Sequence, residues 1–274
     1  MYMVAAPLVV GLLWHRGFSW PLYGLLMFLS MGISVIRHNH THLPMWRTKK
    51  YNRLTDLWLS LLQGHPTCIF YPAHVANHHR HKHGEHDVAR TYAFGGDTNN
   101  LWGYLSHPVF AVSAIYPLYL QWLYRQKQYR PKLFRFCCWQ YLIVLSSWLT
   151  LAILDWQKWA LFVLIPQLHG LHWLLATNYL QHAHADGRST SLNYARNFEG
   201  LVNPLLFNIG LHTAHHEHPR VHWSELGALH KRCKPSVCPS LNEPGLIRYM
   251  FRVFIASIFL PKYKSRSLMQ KEAL

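Results

Sequence analysis

The chain of 274 residues is half hydrophobic, and only 14% of its residues are charged. Because a soluble domain carries roughly 25% charged residues, this composition argues against a soluble globular protein and predicts an integral membrane protein. The formal net charge of +16 requires a strongly basic surface outside the bilayer. That surface suits an anionic membrane leaflet, and no nucleic-acid-binding module is present, so we predict membrane lipids and no nucleic acid as partners.

Two apolar stretches open the chain, Met3 to Trp14 and Phe18 to Ile36, and only residues 15–17 separate them. We interpret them as a helical hairpin. The second is long enough to span a bilayer, whereas the first falls short of the ~20 residues that a span needs. It is either a tilted partial span or the end of a longer one that begins upstream of Met1. A signal peptide is disfavoured because no basic region precedes the stretch and no small-residue cleavage site follows it.

Three further stretches are apolar but too short or too interrupted to span cleanly. Leu54 to Leu62 predicts a short amphipathic helix, and Leu101 to Leu123 contains Pro108 and Pro117. Leu246 to Leu260 carries arginines on one face and large apolar side chains on the opposite face. These patterns predict helices that lie in the membrane interface.

A second hairpin is predicted from Leu133 to Leu154 and Trp159 to Leu180, joined by residues 155–158. If both hairpin loops lie on one side of the membrane, that side carries only Arg16 and Lys158. The other 25 of the 27 basic residues then lie on the opposite side. The positive-inside rule makes that opposite side cytoplasmic.

The predicted fold class is therefore an all-α integral membrane protein with about four transmembrane helices in two hairpins and a cytoplasmic helical cap. The whole chain, 1–274, is expected to form a single domain. Its membrane hairpins are expected at about 3–36 and 133–180, and its cytoplasmic segments at about 37–132 and 181–274. Both termini are expected on the cytoplasmic side.

Four groups of polar side chains follow a hairpin or lie in a cytoplasmic segment. Within each group, members three or four residues apart share a helix face and can bind one ligand together. The members in chain order are His38 and His42; His74, His78 and His79; Asn178 and His182; and His212, His215 and His216.

Nine imidazoles can supply most of the coordination of two metal ions, since a single zinc ion needs three or four ligands. Imidazole binds zinc, copper, iron and nickel, so ligand type does not select the metal. No carboxylate occupies an equivalent position, which argues against the glutamate-rich di-iron site of soluble helix bundles. A capping role is a fair alternative for any one group but not for four groups on one side of a membrane.

The remaining histidines are predicted to serve other purposes. His169 and His172 lie inside the fourth apolar helix, where a hydrogen bond between helices and a role in a substrate channel both remain open. A solvated basic loop is predicted for His81, His83 and His86. Surface positions or contacts around the ligands are predicted for His40, His184, His218 and His222.

These motifs resemble the integral-membrane fatty acid desaturase and hydroxylase superfamily, whose signature is three histidine boxes. The boxes here are HNHTH at 38–42, HVANHH at 74–79 and HTAHH at 212–216. The lone His182, four residues after Asn178, matches a further feature of that superfamily. The resemblance covers roughly residues 18–230. One departure is the second box, which has three residues instead of two between its first histidine and the histidine pair.

The resemblance implies a non-haem di-iron centre, with zinc as a substitute metal, and O₂ as co-substrate. It implies that the nine histidines bind metal, that Asn178 binds through water, and that no catalytic residue is needed beyond these ligands. Residues expected to orient the ligands are Asp87, Asp186, Asn208 and Glu217. The implied partners are an acyl chain, presented as a lipid, a CoA ester or on a carrier protein, and a ferredoxin or cytochrome b5-like electron donor.

The resemblance favours a fatty acyl desaturase that takes its electrons from an external donor. A hydroxylase, a ketolase or an acetylene-forming enzyme of the same superfamily is the nearest alternative. A zinc-binding or zinc-transporting membrane protein is a remote alternative, suggested by the histidine-rich loop at 81–86. Substrate, regiochemistry and oligomeric state are left open by the sequence.

Overall fold

In a computed structural model the chain is mostly helical, and the structure describes residues 1–269. The expected cytoplasmic position of residues 270–274 lies outside the described residues. The α-helices in chain order are α1 (Tyr2–Arg16), α2 (Trp20–His42), α3 (Lys49–Gln63), α4 (His79–His81), α5 (Leu101–Tyr129), α6 (Pro131–Trp159), α7 (Ile165–His182), α8 (Val202–Leu205), α9 (His212–Glu217), α10 (Leu226–Cys233), α11 (Leu246–Met250) and α12 (Ser257–Phe259).

Wider π-helical turns precede three of these helices, at Tyr71–His78, Ala160–Leu164 and Phe251–Ala256. Short 3₁₀ turns occupy Thr67–Ile69, Thr91–Ala93, Trp223–Glu225, Lys234–Ser236, Pro239–Leu241 and Pro261–Tyr263. Two strands of two residues each, β1 (Asn197–Phe198) and β2 (Asn242–Glu243), pair in parallel. The predicted all-α class therefore describes the helices correctly but missed this strand pair.

The chain divides into two compact units. The first unit contains Met1–Pro72 and Pro117–Leu174. The second unit contains Ala73–Tyr116 and the chain from Leu175 onward.

The first hairpin is close-packed in the first unit. A side chain at Gly32 of α2 would collide with the ring of Tyr2, so glycine lets α1 and α2 approach closely. α3 lies against α1, because the indole N–H of Trp58 donates to the carbonyl of Met3 at 3.1 Å. The apolar stretches predicted as a hairpin are thus adjacent helices, and α2 continues through the first histidine box to His42.

The second hairpin turns within residues 155–158, where the sequence predicted its joint. Asp155, near the end of the range given for α6, has non-helical dihedral angles (φ −165°, ψ 99°), and its carboxylate accepts the backbone N–H of Lys158 at 3.0 Å. Beyond this turn α7 runs back along α6, since Trp148 Nε1 donates to Gln167 Oε1 at 2.9 Å. The ammonium of Lys158 lies 5.9 Å from the ring of Trp14, so the turns of both hairpins are neighbours in this unit.

α2 and α7 also touch within the first unit. His169 Nδ1 and Ser30 Oγ are 3.0 Å apart, and a side chain at Gly170 would meet the Ser30 carbonyl. Of the two roles left open for His169, the structure therefore supports a hydrogen bond between helices.

Two stretches of the described chain are long and apolar enough to cross a membrane, Trp20–His42 and Pro131–His182, and the latter holds both α6 and α7. α1 has 15 residues, which is short for a span. α5 is one continuous helix of 29 residues despite Pro108 and Pro117, where the sequence predicted an interrupted stretch. The number of spans therefore stays a prediction.

The second unit fixes the end of α7, where His182 lies. The buried guanidinium of Arg196 donates from Nη1 to the carbonyls of Leu180 and Ala183, at 2.9 and 2.8 Å. These are carbonyls that a helix C-terminus leaves without partners, and a cation there also opposes the negative end of the helix dipole. Around this cap a hydrophobic core forms from Tyr179, Leu180, Ala183, Phe198, Tyr249, Val253 and Phe254.

A tight reversal precedes the third histidine box. Phe207 and Asn208 adopt left-handed backbone angles, with φ of 54° and 57°. Asn203 bridges the reversal, since its Oδ1 accepts the Gly210 N–H at 3.0 Å and its Nδ2 donates to the Phe198 carbonyl at 2.9 Å. A side chain at Gly210 would collide with that same carbonyl, so glycine is needed for this approach. α9 begins directly after this reversal, at His212.

Candidate metal centre

Four buried imidazoles converge in the second unit: His78, His182, His212 and His216. Each offers a nitrogen within 4.8 Å of the others. The Nε2 atom of His212 lies 2.9 Å from that of His182 and 3.1 Å from that of His216. A tetrahedral metal ion with bonds of about 2.0–2.1 Å would hold its nitrogens roughly 3.3 Å apart, so the spacing is close to what such an ion needs.

Hydrogen bonds on the far side of two rings decide which nitrogen faces inward. His182 Nδ1 lies 2.8 Å from the carbonyl of Tyr194, and His78 Nδ1 lies 2.6 Å from Asp87 Oδ2. Both partners are acceptors, so each Nδ1 carries the proton and each Nε2 presents a lone pair. Lone pairs that face one another in a buried pocket repel unless a cation lies between them. This arrangement therefore fits a metal ion.

The electrostatics of the pocket also favour neutral, metal-binding imidazoles. Burial, and then the positive charge that His79 and other neighbours would carry, hold the pKa of His216 well below its usual value. The ring is accordingly neutral at pH 7, which is the form that binds metal.

Asp87, which the sequence analysis named as a residue that orients ligands, is the carboxylate in contact with this group. Its Oδ2 accepts from His78 Nδ1 and from the backbone N–H of His83 at 2.9 Å, while Oδ1 accepts the Ala89 N–H at 2.8 Å. Burial alone would raise the pKa of Asp87, but the charge and hydrogen bond of His78 outweigh burial and hold it well below the usual range.

We expect Asp87→Asn to lower metal affinity by ~10–100-fold, the usual cost of removing a group that orients a ligand. An amide has only one acceptor oxygen, so its NH₂ would face a backbone donor. Competition with a chelator measures the change. Asp186→Asn is the matched control, because that carboxylate accepts the Arg188 N–H in a turn at 2.9 Å. Equal losses in both variants would contradict a special role for Asp87.

A second group of imidazoles lies in the same unit, formed by His74, His79 and His215. The Nε2 atom of His79 is 3.2 Å from that of His74 and 3.1 Å from that of His215. Consecutive histidines belong to different groups. His78 and His216 are in the first group, whereas His79 and His215 are in the second. The ring centroids of His79 and His216 are 4.3 Å apart, so the groups are adjacent.

The unusual spacing of the second histidine box is explained by its backbone. Tyr71–His78 is a π-helix, whose wider turn brings residues five apart onto one side. His74 consequently meets His79, whereas the α-helical spacing predicted that it would share a face with His78. The extra residue in this box therefore does not displace His74.

The first histidine box lies in the first unit, at the end of α2. The rings of His38 and His42 have centroids 4.9 Å apart, as their spacing of four residues predicted. His38 is buried and its Nδ1 lies 3.0 Å from Asn39 Oδ1, which can accept its proton and leave Nε2 to bind.

The other predicted residues have different surroundings. Glu217 accepts from Lys82 Nζ and from the hydroxyl of Tyr194, both at 2.5 Å. Asn208 donates to the Trp223 carbonyl at 2.9 Å, and Asp186 accepts within a turn, so their contacts serve the backbone. Asn178 donates from Nδ2 to the Ala89 carbonyl at 2.9 Å.

The prediction of a solvated loop was wrong for His83. This residue is fully buried, and its ring stacks on His182 with centroids 5.1 Å apart. Lys82 and His83 both have left-handed backbone angles, which turn the chain inward toward Asp87. The sequence signal for this buried turn is Asp87 itself. A carboxylate four residues after His83 can accept the backbone N–H of His83. His86 and His218 are exposed, as predicted.

Sequence reasoning also missed Tyr194, which contacts the site through its backbone carbonyl and its ring. Its carbonyl accepts from His182, and its ring lies 5.5 Å from that of His216. Nearby, Asn197 Oδ1 accepts the Thr213 N–H at 2.9 Å and so anchors the first turn of α9. No spacing rule connects 194 or 197 with the boxes.

The sequence model of the family described as fatty acid desaturase matches residues 12–244. This chain belongs to the fatty acid desaturase family. No curated protein and no solved structure gave a significant match to it. Desaturases of this family are membrane-bound oxidoreductases known for di-iron sites, and the buried imidazoles described above can hold metal.

Proposed function

We propose that this desaturase is a membrane-bound, O₂-dependent di-iron enzyme that introduces a double bond into a fatty acyl chain. Electrons come from an external donor. The observation that carries the proposal is the convergence of imidazole nitrogens in two adjacent groups, one of which holds the buried, inward-facing lone pairs of His78 and His182. Imidazole donors suit iron, and the family is known for di-iron sites.

Four imidazoles hold one iron in this proposal: His78, His182, His212 and His216. The second iron is held by His74, His79 and His215. His38 and His42 are also proposed as metal ligands. The box spacing and the family carry the assignment of His38 and His42. Asn178 is proposed to bind through water, with its amide nitrogen fixed by Ala89.

The overall reaction balances as R–CH₂–CH₂–R′ plus O₂, two electrons and two protons giving R–CH=CH–R′ plus two waters. Two hydrogens leave the chain as two electrons and two protons, and the donor supplies the other two electrons. A methylene has no acidic proton, so the bound metals supply the oxidising chemistry. The protein's own residues keep the imidazoles neutral by burial, and Asp87 and Tyr194 orient two of them.

The membrane placement is part of the same proposal. Both hairpin turns face away from the cytoplasm, and the histidine boxes and both termini face it. The basic cytoplasmic side favours docking of an acidic ferredoxin or a cytochrome b5-like donor by electrostatic attraction. The acyl chain arrives as a lipid, as a CoA ester or on a carrier protein.

The test is expression in a host of known lipid profile, with mass spectrometry of acyl chains and metal analysis of the same membranes. Desaturation lowers the mass of an acyl chain by two hydrogens, and we expect this product together with bound iron. A product that gains one oxygen would instead support a hydroxylase. An unchanged profile in the presence of O₂ and a competent reductase, with zinc as the bound metal, would overturn the proposal.

A further inference from the structure

A cavity of about 700 Å³ lies in the first unit, beside the first histidine box but on another side of α2. His40 lines this cavity, and two helical positions place it about 200° around the axis from His38. His40 is held there, because its Nδ1 accepts the backbone N–H of Met45 at 3.1 Å and its Nε2 lies 3.7 Å from Asp56. The cavity is therefore separate from the imidazoles proposed to bind iron.

Asp56 is the acidic residue in the lining of the cavity. Its Oδ1 accepts the hydroxyl of Thr67 at 3.1 Å, and 28% of the side chain stays exposed, so a ligand can reach the carboxylate. Burial raises the pKa of Asp56 to about 6, and the carboxylate is accordingly ionised at pH 7. Buried Gln140 also lines the cavity, and its Oε1 accepts the Cys68 N–H at 3.2 Å. A group that binds here must donate hydrogen bonds.

Two basic residues also line the cavity. Arg125 and Arg130 line it and are exposed, and they belong to a stretch of eleven residues, 125–135, with five Lys or Arg and no acid. This stretch leads into α6, at the start of a candidate membrane span. Clusters of basic residues next to a span attract anionic lipid headgroups. The aromatic residues Trp122, Tyr129 and Phe136 also line the cavity, as is usual at a membrane interface.

We propose that this cavity binds the headgroup of an anionic glycerophospholipid of the phosphatidylglycerol type. The phosphodiester contacts Arg125 and Arg130, and the terminal hydroxyls donate to Asp56. A choline headgroup has no hydrogen-bond donor for the carboxylate. An ethanolamine headgroup can donate from its ammonium to Asp56, but its zero net charge leaves the surplus positive charge of Arg125 and Arg130 over Asp56 uncompensated. The inference rests on the membrane placement of α6 and not on the reaction.

The experiment is native mass spectrometry of the full chain released from phosphatidylcholine nanodiscs doped with either phosphatidylglycerol or phosphatidylethanolamine. We expect wild type to retain phosphatidylglycerol selectively. Arg125→Gln with Arg130→Gln should weaken retention by about tenfold or more, because each basic residue near a membrane surface contributes to anionic lipid binding. The matched control, Lys132→Gln with Arg135→Gln, removes the same charge from the same stretch but lies outside the cavity lining. It should retain the lipid.

Equal losses in the two double variants would overturn the proposal, since they would show general attraction to the basic stretch. Equal retention of phosphatidylethanolamine would also overturn it. Free glycerol phosphate carries the same phosphate and hydroxyl groups in soluble form. If it displaced the lipid at equal concentration, the proposal of a lipid ligand would be contradicted. If the double arginine variant does not fold, the single variants Arg125→Gln and Arg130→Gln decide, because each should weaken retention of phosphatidylglycerol more than Lys132→Gln does. None of these readouts depends on iron or on acyl product.

Discussion

We expect His216→Ala to abolish desaturation and to lower bound iron from about two to about one per chain, since the other imidazole group keeps its ligands. His216 is buried, its Nε2 faces that of His212 at 3.1 Å, and its ring lies among those of His78, His182 and His79. Removing it leaves three ligands around one iron and a cavity that water can enter. Iron analysis of purified protein and acyl-chain mass spectrometry measure the two effects.

His218→Ala is the matched control for this prediction. His218 is two residues further on, at the end of α9, and its side chain is exposed. The same substitution there should leave iron content and product unchanged. If both variants kept normal turnover, the di-iron proposal would fail. If both lost it, a general weakness of α9 would explain the result better than loss of a ligand.

Much of this site was predictable because helices impose a simple rule on spacing. Residues four apart share a face, and that rule correctly paired His38 with His42 and His212 with His216. Hydrophobic runs likewise placed α2, α6 and α7, because a long apolar stretch can satisfy its backbone only as a helix. The predicted stretch from Phe18 ended at Ile36, whereas α2 continues to His42, since the histidine box extends the helix beyond its apolar part.

The division of the ligands into two groups was not predictable from spacing. His78 and His79 are consecutive yet serve different groups, and whether the turn before them is α or π decides which one meets His74. A sequence pattern gives the number of intervening residues but not the width of the turn. His83 and Tyr194 were missed for another reason. Their contacts depend on a left-handed turn and on a backbone carbonyl, which leave little trace in residue type.

The wide turn in the second histidine box leads to the second large prediction. Deleting Ala76, an exposed residue inside the π-helix, should convert it to an ordinary helical turn. His74 would then stand four residues before the present His79, so the two would again share a face. We expect this deletion to keep metal affinity within about tenfold of wild type. Tenfold is about the smallest loss usually seen when a group that orients a metal ligand is removed. Iron content and chelator competition provide the measurement.

Deleting Ala214 also removes one alanine from a histidine box, but here we expect the metal site to be lost. α9 is a regular helical turn, and its first and last ligands, His212 and His216, meet because they are four residues apart. Removing one residue leaves them three apart and moves His215 to within two residues of His212, off the face that it needs. Iron binding and desaturation should both be lost. If both deletions abolished iron binding, the prediction would be wrong. The π-turn would then be required to form the metal site, and would do more than accommodate the extra residue of the second histidine box.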